Sequence, residues 1–386
     1  MRNSTIASRN VAVMIFIFSI LINVICLLNI IKQKEYSGDV SGFALGLSSY
    51  QAIALSILCF IFYLFIMQFP KISIFSNIKD IDKGNVLVAV EILVIVSLSL
   101  KFFGFVFFGY GVAESKSSLS LGFIFRLVPT YVVFMCLLVI PEKFKKRYFF
   151  YLFCHIVMMV MMGWTGGLFD IFWLIIFRYM IHKNKTYHLI IIFLTIFVAF
   201  LLSPYVYSLK FYIRWGDGFE FEYMEILGHL LSRLSFIPSM LYLGENSNEF
   251  VNGVNVLPAF TLLDSITAVL PRSLLGISIN NLETLFVGYV TGSINPGVVY
   301  YLSLPGKLIS SYNISFFELS VSLLVLVYIL SILAFLLKSI FGELFFLPWS
   351  LIVFKFFLSG NYEEPAYIIY GLCIIFVFSQ FRFRFR

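Results

Sequence analysis

Apolar runs with the length of a bilayer crossing recur from one end of this chain to the other, and they constrain its fold more than any motif does. A helix rises 1.5 Å per residue, so about twenty apolar residues cover roughly 30 Å of hydrocarbon. Runs near residues 11–31, 51–69, 86–108, 122–140, 150–164, 167–182, 188–208, 315–337, 343–358 and 366–380 reach or approach that length. They predict an all-α, polytopic helical membrane protein with about ten transmembrane helices, forming a single membrane domain over residues 1–386. Composition agrees, because 61% hydrophobic and 12% charged side chains leave too few polar groups to cover a water-soluble globule. A soluble enzyme, a nucleic-acid-binding domain and a disordered chain are excluded. The run lengths also exclude the shorter alternating strands of an outer-membrane barrel.

In such a protein the net charge of +7 reports orientation before it reports a partner. With the N-terminus in the cytoplasm, 16 of the 27 Lys and Arg residues fall on cytoplasmic connections or tails. Both termini are therefore expected inside. The run from Val11 to Ile31 follows Arg2 and Arg9, is too long for a signal-peptide core and is read as the first retained span. Cys26, Cys59, Cys136, Cys154 and Cys373 all lie in apolar runs with no CxxC spacing, so they read as core residues.

One segment breaks the regular spacing of spans. Residues 209–296 are expected to form one large extracytoplasmic loop, with four basic residues against eight acidic ones, a formal −4. Its stretches Leu234 to Leu243 and Val254 to Leu270 are too apolar for water and too short to span, so they are expected to pack back on the membrane domain.

The same loop holds the densest group of reactive side chains. A helix from about Glu220 to Leu234 would align Glu225, His229 and Arg233 at i, i+4 and i+8, joined by Glu222. That stripe is either a surface face with ordinary ion pairs or the lining of a cleft. Arg214 precedes it, and Arg272 and Glu283 follow. The run of Gly and Pro through Gly288, Gly292, Pro296, Gly297, Pro305 and Gly306 predicts a broken or half-buried helix around Lys307. Lys307 itself fits either a snorkelling cation or a substrate contact. Within the spans, Lys101, Arg126 and Asp170 are expected toward the outer side, and Glu91 and His155 toward the inner side. Arg126 with Asp170 is the natural pair, useful for stability or for substrate. His155 and Glu91 read as interfacial residues more readily than as a proton relay.

This layout resembles the Wzy-type polymerases that extend bacterial surface polysaccharides from lipid-linked repeat units. The shared features are the span number, the single late loop and its arginines. The Thr165, Gly166, Gly167 hairpin, leading into a span that ends RYMIHKNK, is similar to the family's Thr-Gly-Ser-Arg-Gly hairpin. Leu168 and Phe169 stand where the family's arginine would, so that residue's role does not carry over. The RLS at Arg233 to Ser235, the LPRSLLG around Arg272 and the re-entry from Pro296 to Lys307 resemble its loop signatures.

The resemblance implies a GT-C-like fold and an inverting, metal-independent glycosyl transfer with no cofactor. Donor and acceptor would both be undecaprenyl-diphosphate-linked oligosaccharides, with membrane lipid, a chain-length regulator and a flippase as partners, and no nucleic acid. The site would lie on the extracytoplasmic side of the bacterial cytoplasmic membrane. Arg214, Arg233 and Arg272 would bind the diphosphate, Glu225 or His229 would serve as base, and Arg126, Asp170, Glu283 and Lys307 would contact substrate. A flippase for the same lipid, or a ligase of the finished glycan, is the alternative.

Overall fold

The computed structural model describes residues 2–71, 78, 80–108, 129–162, 165–182, 231–254, 282–292 and 300–381, with scattered positions between 194 and 228. The described residues are helical throughout, apart from short connections and one isolated bridge between Glu35 and Ala44. In chain order the helices are α1 (Arg2–Gln33), α2 (Ser49–Gln68), α3 (Lys83–Phe108), α4 (Thr130–Val139), α5 (Lys146–Met161) and α6 (Thr165–His182). There follow α7 (Ile237–Gly253), α8 (Leu282–Thr291), α9 (Leu304–Ile314), α10 (Phe316–Phe341), α11 (Phe346–Ser359) and α12 (Glu363–Gln380).

Local chemistry sets several of these boundaries. Ser48 and Gln51 form a reciprocal capping box at the start of α2, with the Ser48 hydroxyl accepting from the Gln51 backbone N–H and the Gln51 side chain accepting from Ser48 N–H. Ser315 caps α10 by accepting from Glu318 N–H at 3.1 Å. The connection from α11 to α12 turns on Gly360, whose φ of +68° is left-handed.

Four stretches, Ser8–Gln33, Ser49–Lys71, Lys83–Phe107 and Phe316–Leu344, are long and apolar enough to cross a membrane individually. The other expected spans are shorter where they are described. α4 has 10 residues and α11 has 14, and both are buried along nearly their whole length. A helix apolar on all sides belongs in an interior. α11 packs against α1, α2, α9, α10 and α12, so it is the central element around which the longer helices stand. The expected seventh span, 188–208, lies largely outside the described residues, as does the FRFRFR tail beyond Phe381.

Polarity across the bundle is inverted relative to a soluble protein. Ile17, Leu21, Ile25 and Leu28 on α1, Ile57, Leu58, Ile61 and Phe65 on α2, and Leu324 and Val327 on α10 point outward. Ser19, Asn23, Ser56, Ser97 and Ser322 point inward. The inward groups hydrogen-bond between helices: Asn23 Oδ1 accepts from Ser235 Oγ at 2.8 Å and from Phe236 N at 2.9 Å, Ser97 meets Thr130, and Ser311 meets Ser322. Polar contacts of this kind join helices whose outer surface is solvated by lipid. The chain therefore has the construction of a helical membrane protein.

His155 departs from its interfacial expectation. It is 1% exposed and stacks on Phe134 with ring centroids 4.4 Å apart. Tyr148, Leu152, His155 and Met159 form the inward stripe of α5, so the helix's own period carries the imidazole into the core. Glu91 does take an ion-paired position, with Lys145 and Arg147.

Candidate functional site

Charge separates to the two ends of the bundle. At one end Arg178 donates to the carbonyls of Leu138, Pro141 and Glu142, closing the C-terminal end of α4, and Arg9 lies over the Phe346 ring. Lys145, Arg147 and Lys338 belong to the same end. Glu91, Asp80 and Glu343 also lie at this end, whereas the opposite end carries Asp39, Asp170, Glu245, Glu283 and Glu364 with the paired cations Arg233, Lys307 and Lys355.

There, Arg233 comes just before α7, which is anchored to α1 through Asn23. Its Nε donates to Asp39 Oδ1 at 2.9 Å, and the backbone N–H of Tyr301 donates to Asp39 Oδ2 at 3.3 Å. The guanidinium stands 5.7 Å from the Tyr301 ring centroid. Asp39 comes from a 3-10 turn, Gly38–Val40, between α1 and α2. The turn is pressed onto Ser232, because a Cβ at Gly38 would lie 2.9 Å from the Ser232 Cβ. Its flanks are tied to α7, with Tyr36 Oη donating to Glu245 Oε2 at 2.6 Å and Gly46 N–H to the same oxygen at 3.1 Å. Burial, then Glu245, raises the pKa of the Tyr36 phenol. With 28% of the Arg233 side chain exposed, the guanidinium is held but still reachable.

Beside this lies a cavity of about 340 Å3 between the N-terminal ends of α4, α6 and α12 and the C-terminal end of α11. Lys355, on the central helix, pairs with Asp170 of α6, lies 3.7 Å from Glu364 of α12, and covers the Tyr131 ring at 4.4 Å. The Lys355 and Glu364 charges, together with those of Arg233 and Asp39, all act on the Tyr301 phenol. Tyr301 thus lies within electrostatic reach of both groups, which places the arginine and the cavity at the same end of the bundle.

A third cluster supports the other two from within. Lys307 of α9 meets Glu283 of α8 at 3.4 Å, with side chains 1% and 0% exposed, and its ammonium lies 4.2 Å from the Tyr362 ring centroid. Removing one partner of a pair this buried costs about 3–5 kcal/mol. Glu283 and Lys307, expected as substrate contacts, are thus turned inward and joined to each other, and Lys307 does not snorkel. The stretch between them contains the expected break, a non-helical segment through Tyr300 to Ser303.

Of the sequence-derived candidates, the structure brings Arg233 and Asp170 to this end in accessible positions. Asp170 has Lys355 as its partner, a residue the sequence reading passed over, and its expected partner Arg126 lies outside the described residues. Arg214, Glu225, His229 and Arg272 also lie outside them. Leu234 to Leu243 packs inward as expected, with Phe236, Ile237, Leu241 and Leu243 fully buried. Most of Val254 to Leu270 lies outside the described residues. Asp39, Tyr301, Tyr131, Lys355 and Glu364 are additions from the structure. No cluster of three or more potential metal ligands occurs among the described residues. Comparison with known protein families, curated proteins and solved structures finds no match to this chain.

Proposed function

We propose that this protein is a polymerase of lipid-linked oligosaccharide repeat units, working at the polar end described above. The observation that carries the reading is the gathering of Arg233 with Asp39 and Tyr301, and of Lys355 with Asp170 and Glu364, at one end of a bundle whose flanks are apolar. A lipid-linked glycan has matching halves: an acyl chain suits the flanks, and a diphosphate with sugars suits the end. In the reaction an acceptor hydroxyl oxygen attacks the anomeric carbon of the donor sugar as the bond to diphosphate breaks, with inversion. The acceptor proton passes to a carboxylate or imidazole base, for which Glu225 and His229 are the candidates. Negative charge grows on the departing diphosphate, and a guanidinium stabilises it in two-point fashion without a metal. Arg233 is assigned that role, with Arg214 and Arg272 as further contacts. Asp39 holds the Arg233 fork in orientation until the diphosphate arrives.

The orientation that follows puts this end on the extracytoplasmic side and the Arg9, Arg147 and Arg178 end in the cytoplasm. The test is glycan profiling of a deletion strain complemented with variants at matched protein abundance. Loss of polymer with single repeats still exported is expected on deletion and for Arg233→Ala. Arg233→Lys should restore little, because lysine keeps the charge but lacks the planar fork. Loss of stabilisation in the transition state predicts a rate decrease of roughly 100-fold or more. Repeat units accumulating on the cytoplasmic face would make the protein a flippase, and normal polymer from Arg233→Ala would remove Arg233 from the site.

A further inference from the structure

We propose that the N-terminal part of α5 is a binding surface for an anionic phospholipid, with the phosphate against Lys145, Lys146 and Arg147 and the acyl chains along Phe149, Phe150 and Phe153. The inference does not rest on the polymerase reading. It starts from the way α5 divides its residues. Tyr148, Leu152, His155 and Met159 turn inward, where the helix packs on α3 and α6. Phe149, Phe150 and Phe153 turn outward and are 61%, 64% and 65% exposed, and Val157 and Met161 continue the same apolar face. Lys143, Lys145, Lys146 and Arg147, all exposed, stand where this face begins. From Lys145 to Phe153 the helix rises about 12 Å, enough to pass from headgroup level into hydrocarbon. A phospholipid has the same order of properties along its length, anion first and hydrocarbon after.

Two of the cations are also held in position. Lys145 Nζ and Arg147 Nη2 both approach Glu91 Oε1, at 3.5 and 2.6 Å, so their heads lie about 6 Å apart or closer. Each also faces the Tyr148 ring, at 5.7 and 5.8 Å from its centroid, and the Tyr148 hydroxyl donates to the same Glu91 oxygen. The first turn of α5 and Glu91 of α3 therefore form one unit. The Lys145 and Arg147 side chains remain 56% and 51% exposed, oriented by the carboxylate without being covered. One phosphate can bridge two cations at that spacing, and the guanidinium offers it planar donors. Phe144 meets Tyr148 and Phe149 edge-on at 5.3 and 4.6 Å, and the Arg178 guanidinium lies 4.8 Å from its ring centroid. Rings and cations thus alternate here, as suits the level where headgroups meet hydrocarbon. Lys143, Lys145, Lys146 and Arg147 exceed Glu91 and Glu142 beside them, so the surface complements a headgroup of net negative charge. A zwitterionic headgroup brings its own ammonium to its phosphate and gains less.

The test is native mass spectrometry of the purified full-length protein in neutral detergent, titrated with dioleoyl phosphatidylglycerol or dioleoyl phosphatidylcholine. Phosphatidylglycerol should bind at least about tenfold more tightly, and its advantage should shrink as salt rises. Lys143→Gln combined with Lys146→Gln leaves the Glu91 contacts in place and should weaken phosphatidylglycerol by about tenfold. The same exchange at Lys32 and Lys34, exposed at the other end of the bundle, should leave it unchanged. Phe149→Ala combined with Phe153→Ala should weaken both lipids together, because it removes apolar contact and keeps the charges. Equal affinity of the wild-type protein for the two lipids would overturn the proposal, and that measurement needs no variant. So would a phosphatidylglycerol preference that survives the Lys143 and Lys146 exchange, or binding unchanged in the phenylalanine variant. Glycerol 3-phosphate displacing the lipid at equal concentration would make this a site for soluble phosphate. Protein dimers in place of lipid adducts would give the face to a second copy, and either result rejects the lipid.

Discussion

Gly360 shows how a single residue fixes the geometry at the polar end. Its φ is +68°, and a Cβ there would lie 2.5 Å from the Ser303 carbonyl oxygen and 2.6 Å from its carbon, both backbone atoms. Ser303 is itself left-handed at φ +61°, buried, and caps α9 by accepting from Gly306 N–H at 3.2 Å. Gly360→Ala should therefore lower stability by more than the roughly 1–2 kcal/mol of left-handed backbone strain alone. Gly292→Ala is the control, with φ +73° and, among the described residues, nothing within 4 Å of the added carbon. Equal losses in thermal unfolding would show that the contact with Ser303 is not tight. At this scale the sequence was legible where a charge stood out and opaque where its partner lay far along the chain. Asp170 is visible as an acid inside one apolar run, and Lys355 as a base inside another. Matching their depth would have found the pair, because Asp170 lies five residues after the start of α6 and Lys355 four before the end of α11. Asp39 and Tyr301, in contrast, carry no local signal that either belongs beside Arg233.

At the scale of elements, the connection between α1 and α2 behaves as a clasp on α7. It is held by Tyr36 and Gly46 on Glu245 and by Asp39 on Arg233. The Tyr36 phenol is held neutral, first by burial and then by the adjacent carboxylate, so its pKa is above the ordinary value near 10. Its contribution is complete below pH 10 and is lost as pH rises from there through the raised folded value, because the released phenol ionises and the docked one does not. An ultraviolet difference titration of wild type against Tyr36→Phe should show a tyrosine that stays protonated well past pH 10. A Tyr36 signal centred near pH 10 would mean that the clasp is not closed. Sequence periodicity located most helices because the spans are continuous apolar runs. It does not show that α4 and α11 are interior, since a fully buried helix and a membrane-crossing one look alike in hydrophobicity alone. The α1–α2 connection carries no such signal, because its contacts lie about 200 residues away.

For the molecule as a whole, the asymmetry of charge between its ends makes a topological prediction. In a variant without the native cysteines, Glu249→Cys should react with a membrane-impermeant thiol reagent added to intact cells, and Lys145→Cys should not, since both positions are exposed in the fold. The opposite pattern would invert the orientation and place the polar end in the cytoplasm. Membrane character and helical architecture were legible from hydrophobic run length, because the bilayer imposes that length directly. The convergence of α4, α6, α11 and α12 on one cavity was not, because tertiary pairing among similar apolar helices leaves little trace in any one of them. The inward serines and outward leucines have one further thermodynamic effect. When these helices separate inside lipid, their apolar side chains exchange one hydrocarbon neighbour for another and gain no water. The heat-capacity increment that curves the stability of soluble proteins is then largely missing. Stability of the bundle should change almost linearly with temperature, and cooling should not weaken it by the route that weakens a water-solvated core.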